Sequence, residues 1–407
     1  MRTLTSRLAL AVLLVLPVLA GCEEDDPVET SPTPSGQAGA AGTAGSAGSG
    51  QAGDGGSAGS GAGQAGAAGD GGSAGTAGAA GEGGSGGAPV VCEASPGDYQ
   101  PRVNGSADDT WPACISDNNV YTPVEPSIST LARIEAFEKI ATLLGFGTEK
   151  VPTAVEFVDA LSAYTTPEGL ESRVARREDE HYPPAAKKCQ DMTNEELAQN
   201  LDRCVGPAQI APLLKAAFEG GAKGENPRVN AARVEAGLLW FLFASVYKEA
   251  VTCSAAPKDC DSSLAYYTGS IVRDDAKGLA RYVRGLEQET HDRVFDGNLA
   301  LRCWRDLDKS TDGKDLEPEL HARALAQVDK ALHRGVAAVV RAQLGKLSSP
   351  TADAAREHVD ILGRSLLREA KVRNAAAAAT LEAELDKLPT PDVAAATGAL
   401  DTLFPCP

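Results

Sequence analysis

The chain has 407 residues and carries 38 Lys or Arg residues against 56 Asp or Glu residues, which gives a formal net charge of −18. Because nucleic-acid phosphates repel an acidic surface, this balance excludes nucleic acid as an expected partner. More than half of the 43 glycines fall in one segment, so composition alone divides the chain into residues 1–21, 22–88 and 89–407.

The N-terminal segment has the layout of an export signal. Arg2 and Arg7 precede an apolar run from Leu8 to Leu19, which is too short to span a bilayer comfortably, since a spanning helix needs about 20 apolar residues. The run ends in Leu19-Ala20-Gly21-Cys22, which resembles the lipobox of bacterial lipoproteins. The resemblance implies that the signal is cut before Cys22 and that the Cys22 sulfur is lipidated. An ordinary secretory signal and a short transmembrane helix are the alternatives.

The predicted anchor also indicates where the protein works. Glu23 occupies the second mature position, where bacterial lipoproteins carry a sorting signal. The resemblance therefore implies the cell envelope, at the periplasmic face of the outer membrane or at the cell surface, with the lipid bilayer as the partner of Cys22. Firm anchoring needs several acyl chains, because burial of each methylene is worth only about 0.8 kcal/mol.

Residues 22–88 are predicted to form a flexible linker of Gly, Ala and Ser. Residues 23–88 contain no Lys or Arg, and glycine recurs at every third position over long stretches. This spacing raises collagen as an alternative, but residues 36–88 contain no proline to hold an extended triple-helical strand. Such a composition cannot bury enough apolar surface to offset its ordering entropy. A Gly-rich coil of this length has a root-mean-square span of roughly 45 Å.

The segment 89–407 carries an even number of cysteines, which favours disulfides in an oxidising compartment outside the cytoplasm. These cysteines are Cys92, Cys114, Cys189, Cys204, Cys253, Cys260, Cys303 and Cys406. Proximity along the chain favours the pairs 92–114, 189–204, 253–260 and 303–406. Metal binding by thiolates is the alternative, but no Cys-x-x-Cys pair is present.

The hydrophobic periodicity of residues 89–407 predicts helices almost throughout. Ser129 is placed to cap a helix that ends at Gly145, and Pro152 is placed to open the next one. The apolar face of this second helix is expected to consist of Val155, Val158 and Leu161. Thr193 and Glu196 have capping-box spacing at the start of a later helix.

The C-terminal half continues the helical pattern. Residues 228–251 form the most apolar helix, which is expected in the core, and residues 263–306 are expected to form two helices. A long helix is predicted from Pro318 to about Leu347, and two more follow. Alternation of apolar and polar residues at a period of two, typical of strands, is absent. We therefore expect an all-α fold, a multi-helix bundle, with two bundle lobes meeting near 255–262 as the alternative arrangement.

Residues 308–319 resemble the calcium loop of an EF-hand. Asp308, Ser310 and Asp312 occupy alternate oxygen-ligand positions, and Glu319 falls where the bidentate carboxylate belongs. Calcium is the only cofactor that this resemblance implies. The loop departs from the pattern at Asp315, where an apolar residue is usual, and the alternative is an acidic turn that caps the following helix.

Three carboxylate–histidine pairs lie four residues apart, so each pair shares a helix face. They are Glu287/His291, Glu317/His321 and Asp329/His333. A metal site in the bundle core is one interpretation, and surface pairs that steady a helix are the other. His181 lies beside two prolines and is expected in a loop, and His358 has no acidic partner four residues before it.

The stretch from Tyr266 to Trp304 is rich in arginine and aromatic residues, which predicts a site for an anionic or sugar-like ligand. The candidate ligand-binding residues are Tyr267, Arg281, Arg284, Glu287 and His291. Packing of arginine stems between helices is the alternative.

Residues 89–407 contain no Gly-x-Ser-x-Gly elbow, no His-Glu-x-x-His pair and no phosphate-binding Gly-Lys-Ser/Thr loop. We therefore expect a membrane-tethered, exported lipoprotein whose helical domain binds an unknown protein or small molecule, or has a structural role, without catalysis. A metal-binding module that uses the 308–319 loop or a bundle-core site is the alternative function.

Overall fold

A computed structural model describes residues 92, 94–101, 110–166, 169–310 and 314–406. The predicted signal 1–21, Cys22 and the linker 22–88 lie outside the described residues, as does Asp312. The described residues contain fourteen α-helices and no strand, so the all-α prediction is confirmed.

The longest connection between consecutive helices is the loop between α3 and α4. Their bounds are α1 Leu131–Leu144, α2 Ala154–Thr165, α3 Leu170–Val174, α4 Asn194–Gln199, α5 Ala211–Ala222, α6 Pro227–Thr252, α7 Lys258–Thr268, α8 Gly278–Leu286, α9 Gln288–Asp308, α10 Pro318–Leu344, α11 Ala352–Ser365, α12 Leu367–Arg373, α13 Ala375–Asp386 and α14 Val393–Leu403. A short 3₁₀ turn at Cys189–Asp191 and a π turn at Gly206–Ile210 complete the regular structure.

Helix α1 begins and ends close to the predicted positions. It ends at Gly145, whose φ of 70° is the left-handed conformation that glycine adopts most readily. Its N-cap residue is Thr130, and no side chain caps it, so the predicted cap at Ser129 is wrong. The predicted capping box of Thr193 and Glu196 is confirmed at α4.

The inward face of α2 differs from the prediction. Val155 and Val158 are 68% and 54% exposed, whereas Phe157 and Ala160 are fully buried. Phe157 buries more apolar area than either valine, so the orientation of the helix that places the ring in the core has the lower free energy.

Helix α6 is the central element of the bundle. It packs against α5, α7 and α11, and seventeen of its residues are buried. By length and composition it is the one helix among the described residues that is apolar enough to cross a membrane, but 83% of its most apolar window is buried inside the domain. This burial confirms the predicted core helix.

The region 263–306 forms parts of three helices instead of two. Helix α7 ends at Gly269, which has a φ of 61°, and the chain then runs without helix to α8. Helices α8 and α9 are separated at Glu287, which has extended backbone. One buried apolar cluster includes residues from both sides of 255–262, so the alternative of two lobes is not observed in the described residues.

The eight cysteines of the domain form four disulfides. The predicted pairs Cys189–Cys204 and Cys253–Cys260 are confirmed. The other two predictions are wrong, because the observed pairs are Cys92–Cys406 and Cys114–Cys303, with separations of 314 and 189 residues. The entropic cost of closing a loop grows only slowly with its length, so proximity along the chain is a weak guide to pairing when packing brings distant segments together.

Candidate functional site

Four side chains from two distant parts of the chain meet beside the core. We call Asp179, His181, Asp329 and His333 the histidine–aspartate site. Nδ1 of His181 lies 2.6 Å from Oδ1 of Asp179, and Nε2 of the same ring lies 2.9 Å from Oδ1 of Asp329. Nδ1 of His333 lies 2.9 Å from the same Oδ1 of Asp329. One oxygen of the Asp329 carboxylate is therefore within hydrogen-bond distance of both histidine rings.

Helix α10 supplies Asp329 and His333. The two residues lie four apart and share one face of the helix, as the sequence predicted. Nδ1 of His333 also lies 2.9 Å from the carbonyl oxygen of Asp329, which fixes the orientation of the ring. The His333 ring packs against Phe243 and Phe404, with ring centroids 5.1 Å and 5.8 Å apart.

The loop between α3 and α4 supplies Asp179 and His181. Arg203 holds this loop, because its guanidinium donates to the carboxylates of Glu178 and Glu180 and to the carbonyl oxygen of Asp179. The backbone N–H of His181 donates to Oδ1 of Asp179, a local turn that places both side chains on one side of the loop. The Cys189–Cys204 disulfide ties the later part of this loop to the segment that follows α4.

The site is largely shielded from water. The side chains of His181 and His333 are 5% and 2% exposed, and the carboxylate of Asp329 is 20% exposed. The ring of Tyr247 stacks on the His181 imidazole at 3.7 Å between centroids. Asp329 is therefore the side of the site that solvent reaches most easily.

The opposite charges in the site stabilise the charged forms of both His181 and Asp329. Burial by itself lowers the pKa of His181, but the hydrogen bonds to Asp179 and Asp329 outweigh it and raise this pKa to about 9. Burial by itself raises the pKa of Asp329, but the charges and hydrogen bonds of His333 and His181 hold it well below its ordinary value. At neutral pH the site thus holds an imidazolium between two carboxylates.

The three predicted carboxylate–histidine pairs have different outcomes. Asp329 and His333 bond as described, but His321 instead bonds to Asp315, with Nδ1 and Oδ2 2.9 Å apart. The Glu287 side chain instead pairs with Arg334. Asp329 and His333 are the predicted pair whose two side chains are bonded to each other in the described residues.

The predicted ligand-binding residues are only partly brought together. Tyr267 and His291 are fully buried, and the Tyr267 hydroxyl lies 3.2 Å from Nδ1 of His291. Nε2 of His291 lies 2.9 Å from the carbonyl oxygen of Arg273, and burial lowers the pKa of His291. The other three predicted residues form ion pairs with different partners, Arg281 with Glu138, Arg284 with Asp274 and Glu287 with Arg334.

The predicted calcium loop begins at a carboxylate that already has several donors. The side chain of Asp308 is buried, and the Arg305 guanidinium lies 3.3 Å from its Oδ2. It also accepts hydrogen bonds from the backbone N–H groups of Ser310, Leu316 and Glu317. These contacts tie Asp308 to the backbone just before α10, but no side chain caps the N-terminus of this helix, so the alternative of an acidic capping turn is not observed among the described residues.

The other predicted calcium ligands differ in their exposure to solvent. Ser310 is buried, Glu319 is exposed on the first turn of α10, and Asp312 lies outside the described residues. A calcium ion at this loop would have to replace the N–H groups that now surround Asp308.

A second buried histidine–carboxylate pair joins α6 and α11. Nε2 of His358 lies 3.2 Å from Oε2 of Glu235, and the Tyr282 hydroxyl donates to Oε1 at 2.7 Å. Burial disfavours the charged form of both side chains, but the charge and hydrogen bond of each residue favour the charged form of the other. The pKa of Glu235 is therefore lowered and that of His358 is raised. The sequence did not predict this pair, because its two residues lie 123 positions apart.

No protein-family model, curated protein or solved structure matches this chain. The arrangement of its own residues is therefore the basis for assigning a function.

Proposed function

We propose that the protein is an exported lipoprotein, anchored through Cys22, whose disulfide-bonded helical domain serves as a binding or structural module at the cell envelope. The observation that carries this proposal is the use of the cysteines. Eight of the nine cysteines lie in the described domain and pair with one another in four disulfides. Four disulfides are typical of an oxidising compartment.

The two long-range disulfides support an extracytoplasmic role for the domain. Cys92–Cys406 ties the first described residue to the C-terminal end, and Cys114–Cys303 ties the N-terminal segment to α9. In the chain-entropy account, a cross-link over such a long loop stabilises a fold by about 5–6 kcal/mol. A domain that is held in this way withstands conditions outside the cell, where chaperones that use ATP are absent.

The burial of α6 supports an anchor at Cys22. This helix lies in the core and contributes its apolar surface to the bundle. Attachment to the bilayer is then left to acyl chains on Cys22, with residues 22–88 as the tether between lipid and domain. The expected partners are the lipid bilayer and an unidentified protein or small molecule, and nucleic acid is not expected because the domain is acidic.

The anchor is tested by expressing the full chain in a bacterium, labelling with a radioactive fatty acid and separating proteins in a detergent that forms two phases. We expect the wild-type chain to be labelled and to enter the detergent phase. Cys22→Ser should be unlabelled and stay in the aqueous phase. Cys253→Ser is the matched control, because it removes a cysteine of a short disulfide loop and should keep the label.

The disulfide assignment is tested on the same preparation by alkylation before and after reduction, followed by mass spectrometry. Eight additional alkyl groups should appear only after reduction. A wild-type chain recovered from the cytosol with its signal intact, its thiols free and no lipid attached would overturn the proposal.

Metal binding is the second candidate function, and the calcium form of it has a direct test. Calorimetric titration of the purified chain with Ca²⁺ should give no heat if Asp308 remains bonded to the backbone of its loop. Heat that is lost in Asp308→Ala would instead assign calcium to residues 308–319. The convergence of His181, Asp329 and His333 supports a different metal form of this function.

A further inference from the structure

We propose that His181, Asp329 and His333 bind one divalent transition-metal ion, with Asp179 as the hydrogen-bond partner that orients His181. One ligand atom from each of the three residues lies within 4.8 Å of the others. This inference goes beyond the proposed anchor and does not depend on it.

The distances between the ligand atoms fit a small ion. Nε2 of His181 and Nδ1 of His333 each lie 2.9 Å from Oδ1 of Asp329. Ligand atoms around a tetrahedral Zn²⁺ with bonds near 2.0–2.1 Å lie about 3.3 Å apart. Each nitrogen–oxygen distance therefore has to lengthen by only a few tenths of an ångström, and the two nitrogens lie within 4.8 Å of each other.

The donor set selects the class of metal. Imidazole nitrogens suit Zn²⁺, Fe²⁺, Ni²⁺ and Cu²⁺, whereas Ca²⁺ and Mg²⁺ take oxygen ligands almost exclusively. Two imidazoles with one carboxylate are the protein ligands of several known zinc and non-haem iron sites, which keep further positions open. The partial exposure of Asp329 gives an incoming ion and a fourth ligand such as water a way in.

The surroundings have the features of a supported metal site. Metal-binding histidines almost always donate their other ring N–H to a carboxylate or carbonyl, which sets the tautomer and the ring orientation. Nδ1 of His181 has such a partner in Oδ1 of Asp179 at 2.6 Å. Asp179 in turn is held by the loop that Arg203 fixes. The rings of Tyr247 and Phe243 limit the movement of His181 on its other side.

Metal binding at this site is an exchange of protons for a metal ion. The ion takes the place of the proton between Nε2 of His181 and Oδ1 of Asp329, and that proton leaves to solvent. At His333 it replaces the proton that Nδ1 directs at Asp329, which leaves to solvent or moves to Nε2. The ion's two positive charges then face the carboxylates of Asp329 and Asp179.

The first test uses the wild-type chain without an affinity tag and needs no variant. Zn²⁺ is added to chain labelled with ¹⁵N, and the ring nitrogens of the five histidines are followed by NMR. We expect saturation at one ion per chain, with His181 and His333 shifted. The rings of His291, His321 and His358 should keep their positions. Shifts confined to those three, or no saturable shift, would overturn the proposal.

The second test reads the metal itself. Co²⁺ is used in place of Zn²⁺, and its visible absorption reports nitrogen ligands in a site of low coordination number. We expect the spectrum to be lost in His181→Gln, His333→Gln and Asp329→Asn. His321→Gln and Asp360→Asn are the matched controls, because they remove the same residue types elsewhere in the described domain. Loss in the controls, or retention in all three site variants, would contradict the assignment.

Asp179→Asn separates a supporting role from direct ligation. The ligand set stays complete in this variant, so the Co²⁺ spectrum should keep its shape and the stoichiometry should stay at one. The affinity should fall by about 10–100-fold, as is typical when the partner of a metal-binding histidine is removed. An unchanged affinity would remove Asp179 from the proposal. Circular dichroism of each variant confirms that the loss of metal is not a loss of fold.

Discussion

Two of the buried histidine–carboxylate pairs in the described domain, Asp329/His333 and Glu235/His358, differ in their surroundings. In both, Nδ1 of the histidine lies about one hydrogen-bond length from a carbonyl oxygen one helical turn earlier, at 2.9 Å for His333 and 3.0 Å for His358. Glu235, the partner of His358, has its other oxygen bonded to Tyr282, and its side chain is 6% exposed. Asp329, the partner of His333, is 20% exposed and also receives His181.

The comparison shows how neighbours decide what such a pair can do. The pair of Glu235 and His358 is closed, because a tyrosine hydroxyl takes the remaining oxygen and no group of three potential metal ligands includes the pair among the described residues. The pair of Asp329 and His333 has a second imidazole within reach and a partly open carboxylate, so the same chemistry offers a set of ligands to an ion.

The largest expected effect breaks the closed pair. Glu235→Ala leaves the His358 imidazolium buried without its counter-charge and the Tyr282 hydroxyl without its acceptor. We expect the free energy of unfolding to fall by about 3–5 kcal/mol, the range for breaking a buried ion pair. Urea unfolding followed by circular dichroism measures it.

An exposed ion pair provides the control for this substitution. Asp360 and Arg364 are 44% and 43% exposed, and Asp360→Ala should change the free energy of unfolding by no more than about 1 kcal/mol. Equal effects of the two substitutions would show that the Glu235 pair is not a special contributor to stability.

The second prediction compares how Zn²⁺ changes the free energy of unfolding when either of the two pairs is altered. An ion that binds only the folded chain raises the free energy of unfolding by about 2.7 kcal/mol when its free concentration is 100 times the dissociation constant. We expect Zn²⁺ to stabilise the wild-type chain, and a chelator to reverse the gain. Glu235→Gln should show the same gain and Asp329→Asn should show none. A gain of equal size in Asp329→Asn would place the ion elsewhere.

The third prediction concerns the pH dependence of the closed pair. The pKa of His358 is raised above its ordinary value of 6.5, so its contribution to stability is complete below about pH 6.5 and is lost as pH rises through the folded pKa. The pKa of Glu235 is lowered from 4.5, so its contribution is complete above about pH 4.5 and is lost as pH falls through the folded pKa. The pair is therefore most stabilising in the window between these two values.

Urea unfolding at several pH values measures this window as the difference in stability between the wild type and His358→Gln. The difference should shrink above about pH 6.5, by about 1.4 kcal/mol for each unit by which the pKa of His358 is raised. Nearby Lys346 opposes the charge on His358, so Lys346→Met should extend the window to higher pH. A difference that stays constant from about pH 6 to about pH 9 would contradict the assigned direction.

Local features of the sequence predicted local features of the structure. The helical periods, the Gly145 end of α1 and the capping box at Thr193 all depend on residues within about one turn of each other. The Asp329/His333 pair belongs to the same group, because a spacing of four residues on a helix already fixes a shared face. The absence of strand periodicity likewise predicted the all-α class.

Long-range features were decided by packing alone. His181 reaches Asp329 across 148 residues, and nothing in the loop around His181 marks its partner. The predicted pairings of Cys92 and Cys303 were wrong for the same reason. Of the five predicted ligand residues, Tyr267 and His291 lie together, whereas Arg281, Arg284 and Glu287 form ion pairs with different partners.

The sequence by itself determined the helical class, the even number of domain cysteines and the pairing of Asp329 with His333. The export signal and the linker remain predictions. Only the tertiary structure decided which cysteines pair, which face of α2 is buried and which loop completes the site. The physical reason is the range of the interactions. Hydrogen bonds within a helix and capping contacts act over a few residues, whereas burial of the apolar core is shared by the whole chain and fixes which distant side chains meet.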